Sequence, residues 1–190
     1  RVMSPSCLLF YVGVDKKLKD VQHHNLFFDT SLEKHGLEIY KDPKWPSAPL
    51  FYVCVPSLTD ASVAPEGSEN LFFLIPIAPD LKDDEETRSK YFDILLRRFK
   101  EKTGNDIANN IVYKKSFCIE DFKNDYNAFK GNAYGLANTL RQTAILKPSL
   151  KNKNLDNFYY TGQLTVPGPG VPPSIVSGEV VAKYVLKNHT

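Results

Sequence analysis

The tightest constraint on this chain lies near its end, where Gly162-Gln-Leu-Thr-Val-Pro-Gly-Pro-Gly-Val-Pro-Pro173 puts three glycines and four prolines into twelve residues. No regular element runs through such a stretch, because proline lacks the N–H that a ladder needs and clashes with the preceding helical turn. The residues before it, Phe158-Tyr-Tyr-Thr161, are rich in β-formers, and Ser174 to Lys187 after it is proline-free with helical spacing. The stretch reads as strand, tight loop and helix, with Pro172 and Pro173 in the first helical turn, where a missing N–H does little harm. Glycines let the backbone come close to a bound group, and N–H groups at a helix start attract an anion or an electron-rich oxygen. Pattern alone leaves two readings open, a cofactor cradle and an ordinary strand-to-helix connection.

The chain ahead of this segment supplies a sheet and its helices. Cys7 to Val14 is a continuous apolar run of strand length and reads as a central strand covered on both faces. Asn25 to Asp29, Phe51 to Val55, Leu71 to Ile77 and Ile111 to Phe117 give further strands. Thr30 or Ser31 can cap a helix through Tyr40. Asp83-Asp84-Glu85-Glu86 heads a long helix to Lys102, with acids at its positive end, Arg97, Arg98, Lys100 and Lys102 at its negative end, and Gly104 as the stop. Tyr91, Phe92, Leu95, Leu96 and Phe99 form its buried stripe. Glu120 to Tyr126 is a short helix. Gly131-Asn-Ala-Tyr-Gly-Leu-Ala137 is a small-residue passage that either lets the backbone approach something bulky or opens a glycine-punctuated helix.

Several function classes drop out. With 24 basic against 22 acidic residues, a net charge of +2 gives no reason to expect a nucleic-acid partner. Cys7, Cys54 and Cys118 are odd in number and widely spaced, which predicts reduced, buried thiols in a cytoplasmic protein. No apolar run approaches the roughly 20 residues of a spanning helix. The pair His23-His24 gives no metal site on the expectation that neighbours in a strand point to opposite faces. No G-x-S-x-G, P-loop or zinc signature is present, nor any G-x-G-x-x-G. A chain with a cofactor-facing strand and helix at its end needs a dinucleotide-binding first turn. Its absence, with Arg1 leading almost directly into a strand, predicts a piece of a longer chain.

Together these residues resemble the carotenoid desaturases, the phytoene desaturase family of FAD-dependent oxidoreductases. The resemblance rests on Asp156-Asn157, Gly162, Thr165, Pro167-Gly168, Gly170, Pro172 and Ser177, on Phe51-Tyr-Val-Cys-Val-Pro-Ser-Leu-Thr-Asp60, and on Ala64-Pro-Glu-Gly67. It extends through Leu71 to Pro76 and Gly131 to Ala137, then Thr139-Leu140 and Gln142, so it covers nearly the whole chain. Val166 departs from a frequent family histidine, and Leu164 and Pro173 from frequent glycines.

The resemblance implies an α/β, or mixed α+β, fold that is the later part of a two-lobed flavoprotein. Residues 1–130 would be a substrate lobe, a mixed β-sheet with packing helices over an apolar channel. Residues 131–190 would return to an FAD-binding Rossmann-like domain as its closing strand and helix. FAD would be held by Gly162, Gln163, Thr165, Gly170, Val171, Pro172 and Pro173, with the helix start beside the isoalloxazine ring. The implied reaction removes two hydrogens from a long polyene hydrocarbon, as a hydride to flavin and a proton, and no catalytic side chain is assigned. The implied partners are that carotenoid and a membrane surface, on which a cytoplasmic enzyme docks peripherally. Phe27, Phe28, Trp45, Phe72 and Phe73 are candidates for channel, docking or core. The isolated piece is expected to be inactive. The alternatives are a carotenoid isomerase or another flavin amine-oxidase-like enzyme, and a non-catalytic module binding apolar ligands or membranes.

Overall fold

The computed structural model describes residues 1–189. Contacts divide the chain into two compact units, Ser6–Gly131 and a second made of Arg1–Pro5 with the chain from Asn132 onward.

The first unit is built on five strands, β1 (Ser6–Val14), β2 (His24–Phe27), β3 (Phe51–Cys54), β4 (Glu69–Ile77) and β5 (Ile111–Phe117), in the order β2-β3-β4-β1-β5. Mixed α/β architecture is as the sequence predicts. The sheet differs in one respect: every pairing among the described residues is antiparallel rather than mixed. Side chains alternate in β4, where Leu71, Phe73, Ile75 and Ile77 are buried and the residues between them half-buried. The inward set meets Leu8, Phe10, Val12 and Val14 of β1 in one apolar core.

Three helices serve this unit: α1 (Leu32–Tyr40), α2 (Glu85–Thr103) and α3 (Ile119–Tyr126). Their starts are local chemistry. Ser31 accepts the Lys34 N–H at the head of α1, and Asp84 accepts the Thr87 N–H (2.9 Å) at the head of α2. Gly104, at φ 73°, closes α2 in the left-handed conformation. Tyr91, Phe92, Leu95 and Phe99 of α2 are buried, with Leu96 only half so. Phe92 lies 4.7 Å from Phe10 and Phe99 lies 5.8 Å from Phe73, ring centre to ring centre.

Arg98, expected on the basic end of α2, is instead buried. Its guanidinium donates to the Pro49 carbonyl and the Asp29 carboxylate and sits 4.8 Å over the Phe51 ring. His35 is a satisfied core histidine: it accepts the Leu50 N–H at Nδ1 (3.1 Å) and donates from Nε2 to the Pro76 carbonyl (2.8 Å).

The second unit contains α4 (Val171–His189), a bridge from Met3 to Leu136, and mostly irregular chain. The strand expected at Phe158–Thr161 does not form. A single bridge joins Lys151 to Tyr159, flanked by Tyr160 N–H to Leu150 O (2.8 Å) and Asn152 N–H to Phe158 O (2.9 Å). The physical reason is the partner stretch, where Asn152 Oδ1 accepts the Asn154 and Leu155 N–H groups and turns the chain away. The passage at Gly131 also has a plainer cause than a bound group. A Cβ there would lie 2.6 Å from the Ile119 carbonyl oxygen, so the close neighbour is the chain itself.

Candidate functional site

The loop from Gly162 to Gly170 is braced by one buried hydroxyl. Ser177, in the second turn of α4, accepts the Gly162 N–H (2.8 Å), contacts Thr161 Oγ1 (2.7 Å) and donates to the Ser174 carbonyl (2.6 Å). Thr165 is buried and donates its hydroxyl to the Gly162 carbonyl (2.9 Å), while its own N–H reaches the same oxygen at 3.1 Å. Gly162 is thus tied through both backbone groups in a left-handed conformation, φ 98°, with nothing within 4 Å of where a Cβ would stand. At Gly168 the loop is closed from behind, since a Cβ would meet Lys147 Cε at 3.1 Å. The Lys147 ammonium donates to Asn138 (3.0 Å).

The expected site residues fall into two groups. Gly162, Gln163 and Thr165 form the fixed bend, the first two half-buried. Gly170, Val171, Pro172 and Pro173 form the helix start, largely exposed. That start offers fewer donors than its motif suggests. Pro172 and Pro173 have no N–H and the Ser174 N–H is bonded to the Gly170 carbonyl (3.0 Å), which leaves Val171 alone among the first four residues of α4. Space lies open beside Gly162, whereas the helix start has few backbone donors. Ser177, the brace, carries no signal as a site residue in the sequence beyond its place in the motif.

Relatives of known name settle the affiliation. No protein-family profile matches the chain. It is 44% identical over 188 residues to a carotenoid 3,4-desaturase of Haloarcula japonica, which covers 99% of this chain. It is 31% identical over 194 residues to a 4,4'-diapophytoene desaturase of Staphylococcus aureus, and 29% identical over 186 residues to a 4,4'-diapolycopen-4-al dehydrogenase of Metabacillus indicus. The chain belongs to the carotenoid desaturase family. It spans 38% of the length of each of these relatives.

The sheet of the first unit has one face on the core and a second face that is only partly covered. Tyr11 of β1 and Phe72 of β4 meet there at 5.3 Å between ring centres, and Tyr52 of β3 follows at 6.3 Å from Phe72. Leu26 of β2 and Tyr113 of β5 continue the face, 65% and 55% exposed. A groove of about 640 Å³ runs along it, lined by Tyr11, Gly13, Asn70, Tyr113, Phe117 and Tyr126 among others. Of the five aromatics singled out in the sequence, Phe72 alone looks onto this face of the sheet. Phe27 and Phe73 are core residues, Trp45 is half-buried and donates to the Lys82 carbonyl (2.9 Å), and Phe28 is exposed.

The buried ionisable groups of the first unit serve structure. Burial pushes the Cys7 thiol up to about 12, and burial with the nearby Asp83 charge raises Cys118 further. Burial alone would raise the Asp83 carboxyl, but hydrogen bonds from Arg88 and the Glu120 N–H outweigh it and hold that carboxyl below the usual range. Among the described residues no helix is long and apolar enough to cross a membrane.

Proposed function

We propose that this chain is the later part of an FAD-dependent carotenoid desaturase. In this reading residues 1–130 hold the polyene and residues 131–190 return to the flavin domain. The single observation that carries it is the match over nearly the whole chain to relatives named as desaturases of carotenoids. The open, left-handed bend at Gly162 is the feature of this chain that suits a flavin.

FAD, when bound, would supply the two-electron acceptor for a hydride from one C–H bond of a saturated carbon pair next to a polyene, the neighbouring carbon losing a proton as the double bond forms. The chain's own part is to bind and to exclude water. Gly162 and Gln163 would face the ribityl and pyrophosphate portion, with Thr165 fixing the bend. Gly170, Val171, Pro172 and Pro173 would line the approach to the ring. A hydrocarbon offers no polar handle, so selection rests on shape and on apolar burial at about 25 cal/mol per Å². Tyr11, Tyr52, Phe72 and Leu26 supply such a surface. Because the substrate dissolves only in lipid, the enzyme docks on a membrane surface to collect it.

The test is product analysis with the full-length protein, a carotene substrate in vesicles, and flavin absorption recorded on the same preparation. The reading expects a yellow protein and a product with an added double bond. The name of the Metabacillus relative favours a second outcome, oxidation of a polyene aldehyde, which a parallel assay with a carotenal in the same vesicles tests. A colourless protein without either product contradicts both.

A further inference from the structure

One cluster of ligating side chains lies at the edge of the sheet, bordering the aromatic face at Tyr52, which contacts His24 (2.6 Å). His24 stands opposite Cys54 in the β2–β3 ladder, so both side chains leave the same face. His23 precedes β2, and the rule of alternating faces does not govern it. Its carbonyl still accepts the Val55 N–H (2.8 Å), while its ring turns onto that of His24, with centres 4.3 Å apart. One donor atom from each of His23, His24 and Cys54 lies within 4.8 Å of the other two.

The hydrogen bonds around the cluster orient both imidazoles. His23 Nδ1 is 2.6 Å from Thr59 Oγ1, whose own hydrogen goes to the Pro56 carbonyl (3.3 Å). With Nδ1 engaged by that hydroxyl, Nε2 is the nitrogen of His23 left to ligate. His24 Nδ1 is engaged by the Tyr52 hydroxyl at 2.6 Å, which leaves Nε2 as its ligating nitrogen. Imidazoles that bind metals are held in this way, by a hydrogen bond to the nitrogen that does not bind.

We propose that His23, His24 and Cys54 form a binding site for a divalent transition-metal ion of the zinc class, with water as the fourth ligand. Two imidazoles and a sulfur, with no carboxylate, select a borderline-soft ion and reject magnesium and calcium. Tetrahedral zinc, at about 2.0 Å from nitrogen and 2.3 Å from sulfur, holds its ligand atoms roughly 3.3–3.6 Å apart. The cluster spans up to 4.8 Å, so binding draws the three side chains together, and none of them is fully buried: His24 is exposed and the other two are half-buried. Cys54 loses its proton to solvent as the sulfur–metal bond forms. The ion then clips β2, the edge strand, to β3.

Cobalt(II) reports such a site directly. The untagged full-length protein, kept reduced with a non-thiol reductant, is titrated with Co²⁺ and read as a difference spectrum against the metal-free sample. The expected result is one equivalent of Co²⁺ with a thiolate-to-cobalt charge-transfer band and the strong visible bands of a four-coordinate centre. Zn²⁺ displaces it and protects Cys54 from alkylation. Cys54→Ser abolishes the charge-transfer band, His24→Gln removes the four-coordinate signature, and Thr59→Val, which frees the His23 ring, weakens binding about tenfold. Circular dichroism confirms that each variant is folded. A charge-transfer band that survives in Cys54→Ser, or no binding by the folded wild-type protein, overturns the proposal.

Discussion

Ser177 concentrates the structural logic of the second unit in one oxygen, which takes the Gly162 N–H and passes its own hydrogen to Ser174. Truncation to alanine leaves the half-buried Gly162 N–H without its partner. We expect Ser177→Ala to cost about 1–3 kcal/mol, read as a lowered urea midpoint. The spacing of Gly162 and Ser177 in sequence gives no hint of this bond, because the chain must turn through a loop before the two meet. The histidine pair teaches the same lesson. Alternation of side chains is a property of regular strand, and His23 stands one residue outside it. At the helix start the sequence speaks more clearly than the motif name: Pro172 and Pro173 mark where α4 begins and, by the same chemistry, remove two of the donors that an anion would use.

Elements whose ends are set by neighbouring residues were legible in advance, and those that depend on distant partners were not. Helix α2 begins after Asp84, ends at Gly104 and buries Tyr91, Phe92, Leu95 and Phe99, all visible in its own residues. Phe99→Ala is expected to cost about 3–5 kcal/mol in an unfolding titration. The burial of Arg98 was not legible because its partners, Asp29 and Pro49, come from far earlier in the chain. The expected strand at Phe158 failed for the complementary reason, that a strand needs a neighbour and Asn152 bends the only one supplied.

The head of α2 is also tied to α3 through charge. Arg88 donates to Asp83 at 2.7 and 2.6 Å and lies 2.7 Å from Asp121, while the Glu120 N–H reaches Asp83 at 2.9 Å. A carboxyl lowered on folding adds stability above its unfolded value, about 3.9, and that stability is lost as pH falls through the folded value. The unfolding midpoint should therefore fall below about pH 4, and Asp83→Asn should flatten that decline. Arg88→Met strands a buried carboxylate and should cost about 3–5 kcal/mol at neutral pH, more than the double variant with Asp83→Asn.

At the scale of the molecule, the chain accounts for 38% of the length of its relatives, and its two units carry different halves of the proposed work. The first presents an aromatic sheet face suited to a hydrocarbon; the second presents a loop held open at one glycine. The mixed α/β class was readable from hydrophobic runs and helix caps, whereas the fully antiparallel pairing was not, since strand direction depends on connections that period alone leaves undetermined. The account turns on the bend at Gly162. The decisive measurement is flavin content per chain in the purified, folded full-length protein, wild type beside Gly162→Val. One flavin per wild-type chain, lost in the variant while its circular dichroism is unchanged, is the predicted result. A wild-type protein without flavin, or a variant that keeps all of it, would contradict the account.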